Sequence, residues 1–172
     1  NLYQTGGQTF NNTAGLIQIG NAAKLSAAGM VLGGTVQSLG LGASTGTISG
    51  TFQDLALRGQ FNAVDLRLNG VVIHDSVQVK GAVLSTAGTI TTVGTLNLAA
   101  SNSANGRLSL SANTLLTGSG STVLSNDASG YRSMVYGPGV LTIAAGHTVR
   151  GAGDLGNTSY GGLGVINQGT SL

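Results

Sequence analysis

The chain has 172 residues, among them 30 glycines, one proline, no cysteine and no tryptophan. Seven Lys or Arg stand against five acidic residues, all Asp, for a formal net charge of +2, and 41% of the residues are hydrophobic. The length suits a single domain spanning residues 1–172, and the composition excludes both ordinary disorder and a helix bundle, whose surfaces are built from Glu, Lys and Arg. Without cysteine there is no disulfide framework, no thiolate metal site and no thiol nucleophile. No run of 18 apolar residues is present to span a membrane and no N-terminal stretch resembles a signal peptide, so membrane insertion is not expected. So weak a charge is no footprint of nucleic-acid binding.

Taken in chain order, the apolar residues come in short bursts with a period of two, the pattern of half-buried strands. Leu16, Ile17 and Ile19 precede Gly20-Asn21. Then follow Leu55-x-Leu57, Val64-x-Leu66-x-Leu68, the turn Asn69-Gly70, Val71-x-Ile73 and Val77-x-Val79. Leu96-x-Leu98, the turn Asn105-Gly106, Leu108-x-Leu110 and Leu141-x-Ile143 complete the series. Gly and Asn at the breaks allow left-handed backbone where a β-branched residue could not sit. No segment carries i, i+3, i+4, i+7 spacing with helix caps. The chain therefore reads as all-β.

The bursts are short, and three Phe and four Tyr are the only aromatics. That suits a thin aliphatic core better than the thick core of a sandwich. Bursts spaced six to eleven residues apart, with Gly or Asn at the corners, suit a parallel β-helix, or β-solenoid, in which each strand stacks on its counterpart one coil later. At about 20 residues per coil the chain makes about eight coils. With about 4.8 Å per coil, they form a rod on the order of 40 Å long.

Three stretches carry a family resemblance: Gly50 to Gly70 (GTFQDLALRGQFNAVDLRLNG), Gly139 to Gly156 (GVLTIAAGHTVRGAGDLG) and Gly164 to Thr170 (GVINQGT). Their texture resembles the passenger regions of large bacterial surface proteins, the autotransporter and filamentous-haemagglutinin-like adhesins. The resemblance implies a right-handed parallel β-helix and an extracellular or cell-surface location. It carries over no catalytic residue and no cofactor, and it admits host-surface or matrix glycans as partners.

No charged residue precedes Lys24 or follows Asp154, yet both ends carry apolar side chains. Leu2, Tyr3, Phe10, Leu16 and Ile17 at one end, and Leu163, Val165, Ile166 and Leu172 at the other, are the expected end-to-end interface. A solenoid whose terminal coils lack charged or helical caps presents unpaired backbone and an open lumen. The chain is accordingly expected to be one repeat or subunit of a longer rod, its partners being copies of itself or adjacent repeats, and its role structural rather than enzymatic.

Several motifs compete with that reading. Gly151-x-Gly153-x-x-Gly156 matches a dinucleotide fingerprint, but the residues after it do not make the required helix. Gly42-Ala-Ser44-Thr-Gly46, followed by Asp127 and His147, has the order of a hydrolase triad without the strand-to-helix elbow. Asp54, Asp65 and Asp75 are the candidate carboxylates of an alternative function, a polysaccharide lyase or hydrolase. A coil of about 21 residues would stack Asp54 and Asp75 some 5 Å apart. His74 and His147 lack a third ligand for a metal and are expected to face solvent. Tyr3, Tyr131, Tyr136 and Tyr160 could stack on sugar rings. Tyr131, Arg132 and Tyr136 mark the irregular segment from Asp127 to Gly139 as the candidate ligand loop. Ice binding would need a Thr-x-Thr pair on every coil, and only Thr45-x-Thr47 and Thr89-x-Thr91 occur.

Overall fold

The computed structural model describes residues 2–42, 45–156 and 161–171. Among them there is no helix, and the strands join in one open sheet of 20 strands. The strands are β1 (Leu2–Gln4), β2 (Thr9–Asn11), β3 (Leu16–Ile19), β4 (Lys24–Leu32), β5 (Thr35–Ser38), β6 (Gly46–Gln53) and β7 (Ala56–Arg58). They continue with β8 (Gln60–Asn69), β9 (Val71–Ile73), β10 (Ser76–Lys80), β11 (Val83–Thr92), β12 (Thr95–Ala99) and β13 (Gly106–Thr117). The last are β14 (Ser121–Ser125), β15 (Ser133–Tyr136), β16 (Val140–Ile143), β17 (Thr148–Gly151), β18 (Asp154–Leu155), β19 (Gly164–Asn167) and β20 (Thr170–Ser171).

Every pairing between these strands is parallel, and none joins sequence neighbours by a hairpin. The pairs chain into three ladders. One runs β1, first half of β4, first half of β6, first half of β8, β10, β12, β14, β17, β20. A second runs β2, second half of β4, second half of β6, second half of β8, then the first halves of β11 and β13, then β15 and β18. The third runs β3, β5, β7, β9, the second halves of β11 and β13, then β16 and β19. The chain visits the ladders in turn and returns to each one rung further on, an arrangement compatible with a β-solenoid.

Stacked rungs put like positions on top of one another, so period-two alternation becomes continuous apolar columns. On the first ladder Leu2, Leu25, Ile48, Ala63, Val79, Leu98 and Leu124 succeed one another. On the second, Phe10, Val31, Phe52 and Leu68 do so. On the third, Ile17, Val36, Leu57 and Ile73 do so. Interior members of these columns are buried, most of them completely. The hydrophobic cluster of the core is aliphatic apart from Phe52 and Phe61, and Phe61 is accommodated because its partner one rung earlier is Gly46.

Two expectations from the sequence need correction. The spacing places Val64 on one face with Leu66 and Leu68, yet it is 43% exposed while both leucines are buried. Asp65 adopts a left-handed conformation (φ 47°), which resets the alternation so that Ala63 and Leu66 face inward instead. The spacing between rungs is also far from uniform. Gly46 pairs with Phe61, 15 positions later, whereas Thr114 pairs with Leu141, 27 positions later. The short circuits turn their corners on single residues such as Asp54 (φ 52°), and the long ones carry loops at residues 100–105 and 126–132.

Leu96 is fully buried and stacks between Val77 and Thr122. Leu96→Ala is expected to lose about 2–5 kcal/mol of stability in urea denaturation, through lost burial plus the cavity left behind. Val64→Thr, on the exposed side, should change it by no more than about 0.5 kcal/mol.

Candidate functional site

The two ends of the ladders are the sites with unmet bonding capacity. Among the described residues, strands β1, β2 and β3 pair on one side only, as do β18, β19 and β20. Their other edges carry peptide groups without a ladder partner. At the first end Leu2, Phe10 and Ile17 head the three columns, Leu2 and Phe10 being 54% and 48% exposed. Together with Tyr3, Leu25 and Val31 they line an apolar depression of about 310 Å³. Tyr3 and Leu16 pair with Ser26 and Thr35, on the outward phase of their strands, and flank the opening.

At the other end Val165 stacks on Leu141 and Leu155 on Val135, both half exposed. Ile166 pairs with Thr142 on the outward phase, and Leu163 packs partly against the core. Leu172 lies outside the described residues. Leu155 escaped the sequence reading because it follows the charged Asp154 in a Gly-rich stretch. Its signal was the recurrence of Leu one rung above a buried Val. Asn167 tops Ile143 and Ser171 tops Val149, so this mouth is more polar than the first.

The candidate ligand loop is a fastened corner. Asp127 closes it: its backbone N–H donates to the Tyr131 carbonyl (3.0 Å), and its Oδ1 accepts from the Ser129 N–H (2.6 Å). Asn105, one circuit earlier, accepts from the Arg132 N–H (2.8 Å), and Asn126 accepts from the Ser133 N–H (2.9 Å). The Arg132 guanidinium pairs with Asp154 at 3.0 Å, one circuit later. Beneath it the fully buried Ser133 hydroxyl lies 2.6 and 2.7 Å from the Leu98 and Ser125 carbonyl oxygens, which share its single proton across neighbouring rungs. Tyr131 is 37% exposed. Tyr136 closes β15, and the extended backbone between the two tyrosines spans about 15 Å, too far for a single aromatic platform. Tyr160 lies outside the described residues.

The carboxylates of the alternative enzymatic function are not brought together. Successive circuits here are 16 positions apart, not about 21, so Asp54 stacks beside Gly70 and Asp75 beside Gly59. Asp54 sits at the corner between the second and third ladders, Asp65 between the first and second, and Asp75 between the third and first. Asp75 caps the corner below it, accepting from the Gly59 N–H at 2.7 Å.

The other motifs resolve into structure. Gly151 ends β17 and Gly153 packs against Leu124 and Ser133, with strand β18 following where a dinucleotide site needs a helix. Ser44 lies outside the described residues. His147 was expected at the surface and is instead completely buried, its Nε2 3.0 Å from the equally buried Thr122 hydroxyl. It follows a turn rather than a strand, and that corner points its ring into the core. Burial pushes its imidazole below the usual range, opposed in part by the Thr117 backbone. His74 is half-buried after β9. Thr45 is buried at a corner, and Thr89 pairs with Leu115, so no file of Thr-x-Thr pairs forms there. Among the described residues no three His, Cys, Asp or Glu cluster as a metal site would require. No family model, curated protein or solved structure matches the chain.

Ser133→Ala should cost about 1–3 kcal/mol in chemical denaturation, since a buried hydroxyl bond between rungs is lost and nothing replaces it, although the Ser125 carbonyl keeps the Ala100 N–H. Arg132→Ala should cost less than about 1 kcal/mol, because its side chain is 60% exposed and its ion pair is screened.

Proposed function

We propose that the chain is a right-handed β-solenoid of about eight coils that serves as a structural, non-catalytic segment of an extracellular or cell-surface fibre or adhesin. Its partners in this reading are further coils, supplied by adjacent repeats or by copies of itself, stacked on the strand edges at either end. The observation that carries the reading is the pair of open ends: three strand edges without ladder partners around an apolar mouth.

An extended peptide could pair with only one of those edges. A parallel coil of the same shape meets all three at once and buries Leu2, Phe10 and Ile17 beneath its own columns. Because the two ends differ, such stacking is head to tail, and a head-to-tail contact that does not close generates a filament. Glycans remain the partners implied by the resemblance to adhesins. A glycan-cleaving centre built from Asp54, Asp65 and Asp75 finds no support in their separate corners.

The test is association in solution. Sedimentation and electron microscopy of the purified chain should show end-to-end oligomers growing with concentration, and Phe10→Asp should shift them towards single rods with unchanged circular dichroism. A wild-type chain that stays monomeric at high concentration, with Phe10→Asp indistinguishable from it, would sink the proposal.

A further inference from the structure

We propose that His147 is an acid-operated latch: its neutral ring ties the last circuit of the chain to the one beneath, and protonation releases the segment from residue 144 onward. The ring reaches across circuits, from the turn before β17 to Thr122 on β14, with both residues fully buried. Its Nδ1 is buried without a hydrogen bond of normal geometry. The same residue holds the next circuit through its backbone, since the His147 carbonyl accepts from the Thr170 N–H at 3.1 Å. Gly169 is seated so closely over that carbonyl that a Cβ there would collide with it. One residue thus joins three successive rungs.

A charge placed on this ring would find no counter-ion. The charged residues on the elements packed around it, β12, β13, β14, β16, β17 and β20, are Arg107 of β13 and Arg150 of β17, both cations. Asp127 and Asp154 lie at the corner beyond the far ends of β14 and β17, and Asp154 is engaged by Arg132. Asp75 shares the corner of His147 but lies three rungs away, about 14 Å, and is occupied by the Gly59 N–H.

The sign follows from linkage. Burial lowers the ring's affinity for a proton in the closed state, so the open state binds more protons once the pH falls below the free imidazole's ordinary value of about 6.5. Opening is therefore favoured by acid and disfavoured above that value. The segment is suited to local opening: β18, β19 and β20 each pair on one side only, and Leu155 and Val165 are half exposed. The latch does not depend on the stacking of ends proposed above.

Hydrogen exchange of the full chain, corrected for intrinsic chemical rates, tests it between pH 7.5 and 5.5, a window above ordinary carboxylate titration. Residues 144–156 and 161–171 should open more often at the lower pH, by up to about tenfold, while β8 to β10 hold their protection. His147→Gln should flatten that response and His74→Gln should preserve it. A response spread evenly over the chain, or one that persists in His147→Gln, would overturn the proposal. Should His147→Gln fail to fold, nuclear magnetic resonance of the wild-type ring decides. Titration of His147 coupled to loss of protection in β17 and β20 supports the latch, and titration without that loss refutes it.

Discussion

Rung-on-rung parallel pairing is the constraint from which the rest of the molecule follows. Each strand satisfies its peptide groups only through a strand of the same shape lying one circuit away, so the backbone must return repeatedly to the same three directions. Side chains are then stacked whether or not they attract each other. Apolar residues recur down columns such as Leu25, Ile48, Ala63, Val79 and Leu98 because any polar residue placed there would be sealed from water on every side. The same constraint leaves the outermost described circuits with edges that no other described strand pairs with.

Freedom is confined to the corners. A strand cannot lengthen without disturbing its neighbours above and below, whereas a corner can take in extra residues at little cost to the ladders. Circuits accordingly range from single-residue corners at Asp54 and Asp65 to the loops at residues 100–105 and 126–132. Those loops are the places where side chains leave the regular surface, and their own polar groups, Asn105, Asn126 and Asp127, hold them in shape. Corner residues are displaced from one another by whatever the intervening circuit length happens to be. That is why carboxylates evenly spaced in sequence do not converge in space.

The interior is not uniformly apolar. Towards the later circuits Thr86, Thr92, Thr114, Thr122, Ser133 and His147 are all buried. Ser133 is fully used, bridging Leu98 and Ser125. Thr86 and Thr92 each keep a buried hydroxyl without a partner, and His147 Nδ1 makes no hydrogen bond of normal geometry. Such groups lower stability locally, and they lie in the half of the molecule where circuits are longest and the terminal strands shortest. The opposite half, around Phe52, Phe61, Leu66 and Ile73, combines the shortest circuits with a mostly apolar filling, its buried polar residues being Asn12, Ser38 and Thr45.

Much of the fold was legible in the sequence. Leu57, Leu68, Ile73, Val79, Leu98, Leu110 and Ile143 were each identifiable as inward residues because period-two alternation has one physical meaning, a strand with one dry face. The apolar, uncharged ends were legible for the same reason. What the sequence could not carry was the offset between circuits, which depends on how many residues each corner absorbs. That offset, decided only when the strands stacked, separated Asp54 from Asp75, turned Val64 outward beyond the left-handed Asp65, and set Leu155 over Val135. It also carried His147 from an expected surface position into the core, because a side chain at a corner points wherever the chain bends, and local alternation says nothing about the direction of a bend.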